Sequence, residues 1–202
     1  LTKKLSEKDK EAETGYIKMN WNSDEITKEM GSVAIENKSS VAGFGGLYWQ
    51  YFENLENIKS DSTAVLSITK NLYKKVKSSD GDKLVELNKE IVKPGDLITI
   101  RLILKTENDL EFVHLKDLRA SSFEPIDVIS KYEWKDGLSF YRSTKDVATH
   151  FFFETIKKGT YVLEYDVRIN HSGSFVDGIS TLQSMYAPEF SAHSISTKVK
   201  IE

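Results

Sequence analysis

The chain has 202 residues, with 28 lysines and arginines against 31 aspartates and glutamates, a net charge of −3. That balance excludes the strongly basic footprint of a nucleic-acid binder, and the absence of cysteine excludes a disulfide framework, a thiolate zinc site and a cysteine nucleophile. Hydrophobic residues at 39% suffice for a packed core in one large domain or two small ones, and no apolar run approaches the roughly 18 residues of a membrane span.

The chain starts at Leu1 rather than at methionine, so a processed or excised piece is expected, and no signal peptide is visible. Residues 1–12, "LTKKLSEKDKEA", are charged and read as a solvated arm. "TGYIKMNW" sets Ile17, Met19 and Trp21 against Tyr16, Lys18 and Asn20, the period of a half-buried strand. "GSVAIEN" repeats this with Val33 and Ile35. In "VAGFGGLYWQYFEN", Gly43, Gly45 and Gly46 suggest a bulge before a strand over Leu47–Phe52. The pattern lapses over 53–62, which places a boundary there.

Beyond the boundary, "AVLSITKNLYKKV" is strand-like, and Asp80-Gly81 supplies a turn that tolerates positive φ. "KPGD" at Lys93–Asp96 is a turn feeding the aliphatic "LITIRLILK". "EFVHLKDL", "GLSFYRS" and "THFFFETI" are further strands, and consecutive Phe151, Phe152 and Phe153 force at least one ring off the buried face. "TYVLEYDVRIN" places Tyr161, Leu163, Tyr165, Val167 and Ile169 on one face; the last strand points Ile195, Thr197, Val199 and Ile201 inward. Many short strands with intervening turns predict an all-β chain ending in an immunoglobulin-like sandwich of the seven-strand class.

Catalytic constellations are sparse. His114, His150, His171 and His193 show no i, i+4 zinc-protease spacing, and His114 and His150 read as hydrogen-bonded histidines in or near a core. "GFGG" has no helix behind it to bind phosphate. Asn37 and Asn170 match a glycosylation sequon, a three-residue pattern that arises by chance. Glu124, Asp127, Glu133 and Asp136 flank Trp134, which could mark a sugar platform; the plainer reading is charged loop residues around one packing aromatic. "SSDGDK" is too short for a calcium loop. No metal, cofactor or catalytic residue is expected.

One stretch stands apart. "STLQSMYAPEFSAHS" interrupts an alternating strand with Met185-Tyr186 and then Pro188. Together with "HLKDLRASSFEP", "THFFFETIKKGTYVLEY" and "GLYWQYFENLENI", it resembles the C-terminal region of bacterial alpha-2-macroglobulins, Bacteroidetes-type members especially, from about Thr14 to Glu202. The resemblance implies that residues 1–60 are returning strands of an interrupted CUB-like β domain and that 61–202 form the terminal macroglobulin-like sandwich. It implies a scaffold segment of a protease-trapping inhibitor of the cell envelope or periplasm of a Gram-negative bacterium. Its partners would be the upstream domains of the same parent chain and the trapped proteases. Bait and Cys-x-Glu-Gln thioester motif both lie outside this chain, so the segment would neither trap nor catalyse. The resemblance also implies a role for Met185 and Tyr186: covering the thioester of a neighbouring domain, since a thioether and an aromatic ring exclude water yet release readily. In a parent without a thioester the same loop would be a domain contact. The plainer alternative has the pair capping the fold's own core. A stand-alone binding module for carbohydrate or protein, with an aromatic groove around Trp134, is the other reading of the chain; an enzyme would need convergent titratable groups in a cleft.

Overall fold

The computed structural model describes residues 5–12 and 14–202. The chain divides into two compact units, Leu1–Gln50 and Tyr51–Glu202.

Among the described residues of the first unit no strand forms; its regular structure is two 3-10 turns, Glu7–Asp9 and Lys28–Gly31. Local bonds shape it: Asn22 N–H donates to Glu25 Oε2 (2.7 Å) and Asn37 Nδ2 to Val41 O (2.8 Å). The strands expected over 14–21, 31–37 and 47–52 are therefore corrected. The alternation keeps its sidedness at Ile17 and Met19, half-buried between exposed neighbours. It fails at Ile35 and Tyr48, which are 85% and 88% exposed. A period of two specifies a face, but a strand also needs a neighbour for its N–H and C=O groups. These segments have no ladder partner among the described residues. Of the expected arm, residues 5, 6 and 8–12 are exposed around one 3-10 turn, and residues 1–4 lie outside the described residues.

The second unit begins with a 3-10 turn at Leu55–Asn57 and continues as strands throughout. These are β1 (Leu66–Ser78), β2 (Gly81–Glu86), β3 (Leu97–Thr106), β4 (Leu110–Leu118), β5 (Phe123–Pro125), β6 (Lys131–Lys135), β7 (Leu138–Thr144), β8 (Ala148–Ile156), β9 (Gly159–Ile169), β10 (Gly173–Val176), β11 (Ser180–Ser184), β12 (Ser191–His193) and β13 (Lys198–Ile201). One sheet runs β2-β1-β3-β9-β5, a second β12-β11-β4-β8-β7-β6, and β10 pairs with β13. The architecture is the expected all-β sandwich, with more strands than the seven-strand class. Turn chemistry sets the entries. Ser78 pairs with Gly81 across Ser79-Asp80, and Gly81 takes the φ of 110° that closes the β1–β2 hairpin. Ahead of β3, Pro94 precedes Gly95 at φ 93°, the proline-then-positive-φ order of a type II turn, and Asp96 N–H donates to Lys93 O (3.1 Å).

The two large sheets face each other across one core. β3 contributes Ile98, Ile100, Leu102 and Leu104, and β9 Leu163, Tyr165, Val167 and Ile169; opposite stand Val113 and Leu115 of β4, Phe151 and Phe153 of β8, and Leu182 of β11. The faces expected for β3 and β9 are those observed, with Tyr161 half-buried at the rim. At the C-terminus only Val199 and Ile201 turn inward. Ile195 is 50% exposed, outside any strand. Ser194 N–H donates to Ser180 O (2.9 Å) and Thr197 O accepts from Asp177 N–H (3.0 Å), but between them side chains take part, Ser194 Oγ donating to Ile195 O (2.8 Å) and Asp177 Oδ1 accepting from Thr197 N–H (2.6 Å).

A second correction concerns the segment around Trp134. It is not a charged loop but β6, hairpinned to β7 through Asp136 and Gly137, both at positive φ (52° and 80°). Trp134 does not pack inward; it is 75% exposed.

Candidate functional site

β11 is an inner strand of the six-stranded sheet, and its pairing with β4 ends at Ser184 opposite Val113. Beyond Met185 the ladder with β4 stops, and Pro188 has no N–H with which to resume it. The chain closes a tight loop instead. Ser184 N–H donates to Phe190 O (3.0 Å), Phe190 N–H to Ala187 O (2.9 Å), and Met185 N–H to Phe112 O (2.9 Å). Both side chains singled out by sequence lie outward on this loop, Met185 57% and Tyr186 80% exposed. They do not cap the core of their own sandwich; the residue of the loop that does is Phe190, packed against the core cluster.

The structure adds a residue that sequence did not single out. Phe112 of β4 holds a φ of 50°, a genuine outlier for a bulky side chain. Its carbonyl anchors Met185, and its ring meets Tyr186 edge-on with centroids 5.2 Å apart and planes at 88°. Phe112 is itself 43% exposed. Met185, Tyr186 and Phe112 thus form a largely apolar projection at the strand end, with the exposed carboxylates of Glu111 and Glu189 next to it in sequence. It carries no nucleophile and no acid–base pair, so what it can do chemically is exclude water from whatever it covers.

The other candidates resolve differently. Of the four histidines the fold unites two: His114 Nε2 and His150 Nδ1 lie 2.9 Å apart on adjacent strands, and the His114 ring stacks on Phe152 at 4.6 Å. Burial first, then the neighbouring charges of the partner imidazole and Lys116, lowers the pKa of His114; burial and then Lys116, Lys145 and Arg119 lower that of His150. His171 lies against Phe175, and the backbone of His193 bridges Asp61. No group of three metal-ligating side chains occurs among the described residues. Asp127 and Glu133 are both tied to the Arg142 guanidinium, Glu133 at 2.8 Å from Nε. Hydrogen bonding from Lys131, with Arg142 behind it, holds Asp127 below the ordinary carboxylate range. A cleft of about 540 Å³ beside them is lined by Lys75, Asp127, Arg142, Asp166 and apolar Leu84 and Ile126 among others, and Trp134 is not in its wall.

Comparison with known proteins accords with this geometry. The family model described as the bacterial alpha-2-macroglobulin MG10 domain matches residues 66–189. Among solved structures, a point mutant of Salmonella alpha-2-macroglobulin is 17% identical with a TM-score of 0.57, over 71% of this chain and 10% of that one. Trypsin-activated alpha-2-macroglobulin from Escherichia coli is 14% identical with a TM-score of 0.55, over 72% of this chain and 11% of that one. Native E. coli alpha-2-macroglobulin from domain MG7 to the C-terminus is 17% identical with a TM-score of 0.56, over 71% and 24%. At such identities these likenesses establish the fold, and the chain spans about a tenth of the length of the longer structures it matches. No curated protein matches. The matched domain takes in strands β1 to β11 and the Met185–Tyr186 loop, and the chain belongs to the bacterial alpha-2-macroglobulin family through its MG10 domain.

Proposed function

We propose that the chain is a non-catalytic scaffold segment of an alpha-2-macroglobulin-like protease inhibitor, and that its Met185–Tyr186 loop shields the thioester of a neighbouring domain. The observation that carries this reading is the exposure of two apolar side chains on a loop pinned by the Ser184, Met185 and Phe190 backbone bonds. An isolated domain gains nothing from an immobilised, solvated thioether and phenol; a partner surface that must stay dry does. That an E. coli relative was solved in a trypsin-activated form supports a place in a protein that responds to proteases. On this reading the upstream domains of the parent chain are the direct partners, target proteases are partners of the whole inhibitor, and the cell envelope or periplasm is its setting. The strand-like patterns within residues 14–50, which form no ladder among the described residues, are read as segments of a CUB-like domain that would pair only with residues of the parent chain, while residues 51–60 pack with the sandwich.

The test uses the double variant Met185→Ala, Tyr186→Ala. In a thioester-bearing parent it is expected to speed loss of the thioester to water, followed by thiol release. In the present chain it is expected to leave the unfolding midpoint nearly unchanged, because exposed side chains contribute little to their own core, whereas truncating a buried one costs about 2–5 kcal/mol. A large drop in midpoint, or a parent thioester that hydrolyses no faster, sinks the shielding role.

A further inference from the structure

Three ionisable side chains are buried together between the sheets. Lys70 of β1, Asp117 of β4 and Asp177, which follows β10, have side chains at most 1% exposed. Lys70 Nζ lies 2.8 Å from Asp117 Oδ1 and 3.3 Å from Asp177 Oδ2, and it donates to Leu118 O at 2.6 Å. Ser180 Oγ–H donates to Asp117 Oδ1 (2.6 Å) and Tyr165 O–H to Asp117 Oδ2 (2.5 Å). Asp177 Oδ1 accepts from Thr197 N–H (2.6 Å), and Asp177 Oδ2, facing the ammonium, has no hydrogen bond.

Two carboxylates against one ammonium would leave a net negative charge among side chains at most 1% exposed. Burial, opposed by Lys70, raises the pKa of Asp177, which favours its acid form there. An amine and a carboxyl group held by two hydroxyl donors are then 2.8 Å apart, with a third group able to pass a proton 3.3 Å from the amine.

We propose that Lys70 and Asp117 condense into an intramolecular amide that covalently joins the two sheets, with Asp177 relaying the proton. The ammonium first gives one proton to Asp117 Oδ1. The freed Nζ lone pair attacks Asp117 Cγ, and the tetrahedral oxygen Oδ2 stays on the Tyr165 hydroxyl. Asp177 Oδ2–H then gives its proton to Oδ1, both oxygens lying within 3.3 Å of Nζ, and takes a second proton from Nζ in its place. Oδ1 leaves as water, the C–O bond breaks, and the amide keeps one N–H. An ammonium and a carboxylate become an amide and one water, with no other reactant and with Asp177 restored. This is a single self-modification and involves no external substrate.

Two physical terms drive it. Groups held in contact react with effective concentrations on the order of 10⁵ M or more. The product also replaces two buried charges, each costly to desolvate, with a neutral amide. The Ser180 and Tyr165 hydroxyls supply the oxygen stabilisation that acyl chemistry needs. A covalent tie between β1 and β4 would keep the sandwich closed in a protein that meets proteases.

Intact-mass spectrometry of the full chain, folded by circular dichroism and then denatured, reads the outcome. The expected mass is one water below that of the sequence, with one branched peptide linking the Lys70 and Asp117 segments after digestion. Lys70→Arg and Asp117→Ala are expected at their own full masses, and Asp177→Asn mostly uncross-linked. A folded wild-type chain at full mass overturns the proposal, since the three groups are then a plain buried ion cluster. So does a water loss that persists in Lys70→Arg, which would place the dehydration elsewhere. The wild-type measurement decides even if a variant fails to fold.

Discussion

Phe112 shows what a single residue can conceal. Its neighbours Val113 and Leu115 obey the alternation that marks β4 in the sequence, and nothing in "EFVHLKDL" announces that Phe112 sits at positive φ. The left-handed turn shifts the phase of the strand, so that Leu110 is buried while Glu111 and Phe112 are exposed. Met185 and Tyr186 were legible because they interrupt a pattern; Phe112 was not, because it completes one. Holding a phenylalanine there costs about 1–2 kcal/mol relative to glycine's ease in the same conformation. Phe112→Gly is therefore expected to hold or raise the unfolding midpoint despite deleting a ring, while amide exchange at Met185 quickens as the loop loses its aromatic support. A strongly lowered midpoint would mean that the ring belongs to the core. Gly178 behaves in the opposite way. It sits at φ 76°, and a Cβ added there would lie only 2.6 Å from Leu118 Cβ, so there is no room for a side chain. Gly178→Ala is expected to lose about 2–3 kcal/mol in urea unfolding, from backbone strain plus overpacking.

At the scale of elements, the strands with the strongest two-period patterns, β3 and β9, were readable with their faces because both neighbours and both layers exist within this chain. The segments at 14–21 and 31–37 carry the same kind of pattern and form no ladder, since pairing depends on residues a local pattern does not encode. β6 was missed for another reason. Its charges and exposed Trp134 hid a strand at the sheet edge, although Asp136-Gly137 is a hairpin signal. Pairing of β4 with β8 also creates the His114–His150 contact, which no linear spacing could reveal. Its pH dependence follows from linkage. Both pKa values lie below the usual 6.5 in the folded chain, so the unfolded chain binds protons more readily. The neutral pair's contribution is full above that value and is lost as pH falls through the folded pKa values. The urea midpoint is expected to fall between about pH 7.5 and pH 5, and to fall less in His114→Gln. An identical pH profile for the variant would exclude the imidazole pair as its source.

At the scale of the whole chain, the compositional lapse over 53–62 marked a real change of character, but the compact unit begins at Tyr51. The difference lies in bonds that composition does not show. Ser196 Oγ donates to Leu55 O (2.5 Å), Lys198 Nζ pairs with Glu56 (3.3 Å), and Asp61 exchanges backbone bonds with His193 (3.0 and 2.9 Å). Residues 51–61 are thus laced to the C-terminal end of the sandwich, although they carry no strand pattern of their own. Two chains that differ only there separate the possibilities: one starting at Tyr51 and one starting at Ser62. Both keep every strand of the matched domain. The shorter loses two backbone bonds, one side-chain bond and an exposed ion pair. Neutral hydrogen bonds contribute about 0.5–1.5 kcal/mol each, and the exposed pair adds little. The shorter chain is expected to melt lower, by about 2–4 °C for each kcal/mol by which these bonds exceed the entropy of ordering the segment. Equal melting of the two chains would show that residues 51–61 add nothing to the sandwich, and would return the boundary to the place where the composition changes.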